Sequence, residues 1–169
     1  NKSVGWKSPG VKYWKTLKQE VDPDAECHGV RLGSMFQVDG RIGKPHETLY
    51  RAHIMCHNNP DYMRIYKEYL ATLYQTGIDG IMTDDVQFLA EGFASCACPH
   101  CRSNFTAATG CELPECGEAW EKFIANEKDE LFIKWKKFRY ESIVAFHQEI
   151  KRHYESLGYK MMRPNFAAT

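Results

Sequence analysis

An excess of charge of one sign is missing from this sequence. Its 169 residues carry 22 lysines and arginines against 22 aspartates and glutamates, which excludes a broad basic footprint for nucleic acid or an anionic membrane surface. Long apolar runs are missing too: none approaches the roughly 18 residues that span a bilayer, so no transmembrane segment is expected. Internal repeats and low-complexity stretches are absent, which excludes a solenoid or an array. The chain also lacks an initiator methionine and a signal peptide at its start. Its opening, "NKSVGWKSPG", reads as the middle of a longer protein.

What is present is an ordinary globular composition, 43% apolar and 26% charged. A chain of this size buries roughly 70% of its unfolded surface, enough for one domain with a real core. Aromatic residues make up 13%. Most are expected in that core, although sugar-binding clefts also use aromatic surface.

Local patterns alternate between strand and helix. "VDPDAE" reads as a turn around Pro23, "HGVRLGSMFQV" as a strand and "DGRIGKPHE" as a loop. "NNPDYMRIYKEYLATLYQTG" is a helix with Asn58 or Asn59 as its cap, Pro60 in the first turn and Gly77 at its end. "IDGIMTDD" has strand length. A long helical stretch over about 117–157 has an uneven register near Asn126, which suggests two helices, and "YKMMRPNF" reads as another strand. Strands alternating with helices predict an α/β fold with a parallel sheet. Two strand–helix units are too few for a whole (β/α)8 barrel, so a barrel parent would make this its middle part.

Seven cysteines cannot all pair internally, and five of them lie between residues 96 and 116. Disulfide-dense scaffolds spread their cysteines along the chain, so this clustering points to a local metal site. Cys96, Cys98 and Cys101 form C-x-C-x-x-C, and Pro99 helps hold the turn. Structural zinc takes four ligands in a tetrahedron. The fourth would come from Cys56, Cys111, Cys116, His100 or His57. A redox pair of Cys98 and Cys101 is the runner-up, although no thioredoxin-like context surrounds it.

The stretch "RAHIMCHNNPDYMRIY", followed some forty residues later by "CACPHC", resembles the pattern of glycoside hydrolase family 42, β-galactosidases of the (β/α)8 barrel clan. "GIDGIMTDD" before a cysteine loop is similar to uncharacterised glycosyl hydrolase families on the same barrel, and "WKKFRYES" resembles the helix after the zinc loop. The likeness covers about residues 28–166. It implies that residues 1–169 are part of a glycoside-hydrolase-like barrel domain with a zinc loop at about 90–117. It also implies that Cys56 joins Cys96, Cys98 and Cys101 on a structural Zn2+.

In the resembled family the intervening strand ends in Asp-Asn-Glu, whose glutamate is the general acid/base. Here the matching stretch is "TDD", so the resemblance assigns Asp85 to proton transfer and Asp84 to the substrate-binding position. Aspartate sets its carboxyl group about 1.5 Å further back, and a misplacement of that order costs ~100-fold in rate. The adjacent carboxylate would help keep one of the pair protonated near neutral pH, as a general acid requires. Neighbours on a strand point to opposite faces, so these two are not expected to form the complete catalytic pair of a glycosidase. The family's nucleophile, a glutamate on a late strand, has no counterpart in this sequence.

Arg31, Gln37, Arg51, His53 and Asn165 are candidates for lining a sugar cleft, weighed against a solvated or structural role. Asp79 opens its strand, at the opposite face of a barrel. Trp120 and Trp135, on helices, are expected to be packing residues.

The expected partners are a carbohydrate substrate and the remainder of a parent barrel or a second copy, with no nucleic acid and no membrane. A non-catalytic carbohydrate-binding or scaffold domain that kept the barrel and zinc clip is the alternative, and a zinc-clipped interaction domain is a third. A bacterial location outside the cell suits a polysaccharide degrader, and thiolate ligands equally suit the cytoplasm. Open sheet edges and an uncovered interior predict that residues 1–169 expressed alone are insoluble or oligomeric.

Overall fold

Asn59 starts the first helix by capping it. Its side-chain oxygen accepts from the N–H groups of Asp61 (2.9 Å) and Tyr62 (3.2 Å), and Pro60 occupies a first-turn position where no N–H is needed. Helix α1 covers Pro60–Tyr74, and Gly77 follows in the turn with φ +79°. The structure, a computed structural model, describes residues 22–45, 53–83, 86–88 and 93–163.

The break near Asn126 separates α3, Glu118–Ala125, from the 28-residue α4, Glu130–Leu157. Asp129 caps α4 by accepting from the Leu131 N–H at 2.8 Å, and Gly158 ends it at φ +94°. Helices α1 and α4 pack together through an apolar seam. Tyr62 stacks on Phe146 with ring centroids 6.1 Å apart, and Leu70 and Ile150 are buried beside them. A Lys67–Glu149 ion pair closes the seam at its edge.

This helix pair covers one face of a parallel strand pair, β5 (Gly80–Met82) and β6 (Met161–Arg163). Ile81 and Met162, opposite each other in register, pack against the seam. Met82 and Met161, which point the other way by the two-residue period of a strand, are 63% and 49% exposed. Asp79 lies before β5, where its carboxylate meets Lys160 at the surface. The fold is therefore mixed α/β with one parallel unit, and the described strands form no closed barrel. Among the described residues, no helix is long and apolar enough to cross a membrane.

The N-terminal part is built from short pieces. β1 (Glu26–Cys27) and β2 (Val30–Arg31) form a small hairpin after the turn at Pro23. The single strand expected over "HGVRLGSMFQV" is interrupted by a 3₁₀ turn at Leu32–Met35. Gly33 causes the break: its N–H bonds the Pro23 carbonyl at 2.8 Å, so close that a Cβ would lie 2.9 Å from that oxygen. The chain resumes as β3 (Val38–Asp39), which pairs with β4 (Lys44–Pro45), so the expected "DGRIGKPHE" loop begins as a hairpin.

The cysteine loop also contains more order than expected. Helix α2 spans Pro99–Thr109, with Pro99 in its first turn and Gly110 in the left-handed conformation at its end. Arg102 on α2 then holds the following loop, donating to the carbonyls of Ala97 (3.1 Å), Leu113 (3.1 Å) and Pro114 (2.8 Å). Trp120 and Trp135 are fully buried, in packing roles as expected.

Candidate metal centre

Three stretches of backbone bring four cysteines together. Residues 35–40 make backbone bonds to both of the others: Cys56 N–H donates to Met35 O (2.7 Å), and Ala97 N–H to Val38 O (2.9 Å). Gln37 locks the arrangement from inside. Its amide donates to the carbonyls of Met55 (3.3 Å) and Gln87 (2.8 Å), and its oxygen accepts from Ser95 Oγ (2.7 Å). With 1% of its surface exposed, Gln37 is a structural clamp and not a group lining a cleft. Cys98 then caps α2 with its sulfur, and Cys101 follows in the first turn.

The sulfurs of Cys56, Cys96, Cys98 and Cys101 all lie within 4.8 Å of one another, and all four residues are buried. Cys56 Sγ is 3.5 Å from the sulfurs of both Cys98 and Cys101. Four thiolates bonded to one zinc at about 2.3 Å would stand roughly 3.8 Å apart in a tetrahedron, so the observed spacing fits one ion. It is far longer than the roughly 2.05 Å of a disulfide. The site is able to hold a metal ion.

Its surroundings favour negative sulfur. The Val38 N–H donates to Cys96 Sγ (3.4 Å), the Cys101 N–H to Cys98 Sγ (3.4 Å) and the Asn58 amide to Cys101 Sγ (3.3 Å). Hydrogen bonds from Cys101, Cys56 and Cys96 push the Cys98 thiol far below its ordinary range. Burial and the neighbouring thiols push Cys101 up. For Cys56 a bond with Cys101 acts downward, but those with Cys96 and Cys98 together with burial outweigh it and raise the thiol. A bound ion would let all four sulfurs ionise.

The other sequence candidates for the fourth ligand stay outside this group. Cys116 is exposed, and Cys111 sits 3.7 Å from Lys134 Nζ. His57 is buried against Phe88, with ring centroids 4.3 Å apart, and neither ring nitrogen has a hydrogen-bond partner among the described residues. Burial, then the positive charge of Arg139, bring it down to about 3, so it is neutral.

Of the expected catalytic and sugar-binding residues, Asp84, Asp85, Arg51 and Asn165 lie outside the described residues. Arg31 is exposed and reaches Asp24 at 3.5 Å. His53 lies flat on Phe36, with ring centroids 4.2 Å apart and planes 14° from parallel. No protein-family model, curated protein or solved structure matches this chain.

The strand end before the acidic pair is well defined. Thr83 is buried, its N–H donates to Arg163 O (3.1 Å), and its hydroxyl meets His147 Nε2 at 3.1 Å. His147 Nδ1 is 3.0 Å from the Ile143 carbonyl, which makes Nδ1 the donor and leaves Nε2 to accept from Thr83. His147 was not singled out from the sequence. Its position on the helix facing β5 gives no signal until β5 and α4 are packed together.

Proposed function

We propose that this chain is a segment of a (β/α)8 glycoside hydrolase of the β-galactosidase type, contributing the acid/base half of the active site and a structural zinc clip. The observation that carries the reading is the convergence of Cys56 with Cys96, Cys98 and Cys101. That is the ligand set implied by the resemblance, and it joins the segment before α1 to the loop after β5. The parallel β5–β6 unit under α1 and α4 supports it. So do the exposed Met82 and Met161, because parallel sheets are usually covered on both faces and further barrel strands would cover this one.

In this reading Asp85 donates and recovers the proton at the glycosidic oxygen, and Asp84 binds the sugar beside it. Thr83, tied to His147 and to β6, fixes the end of the strand just before them in sequence. Arg31, Arg51, His53 and Asn165 are the candidates for sugar contacts, with the His53 ring held flat against the buried Phe36. The nucleophile comes from a later strand of the parent barrel. Four thiolates would fill zinc's coordination shell, so the ion supplies rigidity and no chemistry.

The test is hydrolysis of activated aryl glycosides by the full-length protein. Turnover that falls by ~100-fold or more in Asp85→Asn, with sugar affinity retained, is the expected result. Sugar binding without turnover in the parent protein would favour the non-catalytic carbohydrate-binding alternative. Neither binding nor turnover would leave only a metal-clipped scaffold.

A further inference from the structure

Asn58 stands between a candidate metal ligand and a helix cap. Cys56 comes two residues before it, and Asn59, the cap of α1, follows directly. Its side-chain nitrogen is 3.3 Å from Cys101 Sγ and 3.1 Å from Ser142 Oγ on α4. A thiolate has no proton to give, so the amide must turn its nitrogen and not its oxygen toward the sulfur. One N–H then goes to Cys101 and the other to Ser142, which uses both donors of the group.

Among the described residues no other N–H reaches the Cys101 sulfur. Backbone N–H groups serve two of the other candidate ligands, Val38 donating to Cys96 and Cys101 to Cys98, each at 3.4 Å. Cys101 is fully buried, so water cannot take the place of a missing donor. Four thiolates outweigh the charge of a divalent ion, and in a low-dielectric core an N–H aimed at that surplus counts for more than it would in water. Ser142 is buried as well. It lies where α4 passes from Phe138, in the cluster that holds the cysteines, to Phe146 in the seam with α1.

We propose that Asn58 is a latch on the metal centre: its amide stabilises the Cys101 thiolate on a bound divalent ion and ties that ligand to Ser142 of α4. The inference rests on the metal-clip reading and needs no glycosidase activity. Asn58 is a positioning residue, with no bond to the ion.

The test compares the full chain with Asn58→Leu, which keeps the size of the side chain and removes both N–H donors. Zinc affinity is read by competition with a chromophoric chelator. Loss of a group that orients a metal ligand typically weakens binding by ~10–100-fold, and a loss of that order is expected. A packing defect alone would also weaken zinc binding, so the second readout is the reduction potential of the iron-loaded protein. Hydrogen bonds to sulfur favour the more negative ferrous centre over the ferric one, so the potential should fall in Asn58→Leu. The third readout needs no substitution. In the parent chain loaded with cadmium-113, nuclear magnetic resonance should detect coupling between the metal and an Asn58 side-chain amide proton across the N–H···S bond.

An unchanged potential in Asn58→Leu, or no coupling from cadmium to that amide, would overturn the proposal and leave Asn58 a packing residue. If Asn58→Leu fails to fold with metal present, the cadmium experiment on the parent decides: coupling supports the latch, and its absence overturns it. A parent chain that binds none of the three metals would overturn the metal-clip reading itself. A parent that binds them and fails these tests contradicts only the role of Asn58.

Discussion

Replacing Cys101 by serine, or stripping the protein with a strong chelator, should abolish cooperative unfolding of the part of the chain that contains α2 and α3. The reason is where the cysteines sit. Phe88, Phe105, Leu113, Trp120, Phe123, Phe132, Trp135 and Phe138 pack in one cluster with the four cysteines, so the clip lies inside the larger of the two apolar clusters among the described residues. A structural zinc contributes roughly 10–16 kcal/mol of apparent binding energy at neutral pH, and a whole domain is stable by only about 5–15 kcal/mol. Losing the ion should therefore remove most of the stability of this region. The α1–α4 seam, built on Leu70, Phe146 and Ile150, should lose less. Circular dichroism melts with and without chelator would read the effect. Cys116→Ser is the control, because its exposed sulfur lies outside the four-sulfur group, and it should melt like the parent. A Cys101→Ser protein melting like the parent would contradict the placement of the clip.

Gly40→Ala should also be clearly destabilising, although it removes nothing and adds one methyl group. A Cβ at this position would stand 2.1 Å from Trp120 Cδ2 and 2.2 Å from Cε2. Neither partner has room to retreat. The Gly40 backbone is held on both sides, its N–H donating to Ala94 O and its carbonyl accepting from the Gly117 N–H, each at 2.8 Å. Trp120 is fully buried, edge-on to Phe123 and Trp135 and capped by the Arg102 guanidinium at 5.4 Å. Overpacking usually costs about 1–3 kcal/mol, and this site belongs at or above the upper end. At about 2–4 °C per kcal/mol for a chain of this size, the melting temperature should fall by about 6–12 °C. A Gly40→Ala, Trp120→Leu double variant should cost less than the sum of the two single changes, because the smaller side chain vacates the clash. Strict additivity would mean that the two residues do not meet.

Much of this architecture can be read from the chain, and the exceptions have physical causes. The α1 helix is legible because a cap, a first-turn proline and an apolar stripe agree over one segment. The break at Asn126 is legible because the periodicity of the stripe fails there. Helix α2 is hidden because cysteines at C-x-C-x-x-C spacing read as a tight metal loop, yet Pro99 and Gly110 mark its two ends as helix boundaries usually do. The strand over residues 28–38 reads as continuous because its composition suits one. Only the close approach of Gly33 to Pro23 interrupts it, and that contact depends on how the chain folds back.

The metal site divides in the same way. C-x-C-x-x-C is a local signal, but the residue reading leaves the fourth ligand open among five candidates, and only the resemblance to family 42 selects Cys56. In the structure, the pairing of residues 35–40 with 54–56 and 94–97 brings Cys56 to the other three.

The most direct test of the account is the metal content of the purified chain, measured by elemental analysis on the parent and on Cys56→Ser. The account predicts one zinc per chain in the parent and none in the variant. No metal in the parent, or zinc retained without Cys56, would contradict the four-cysteine clip and remove the main support for the glycoside hydrolase reading.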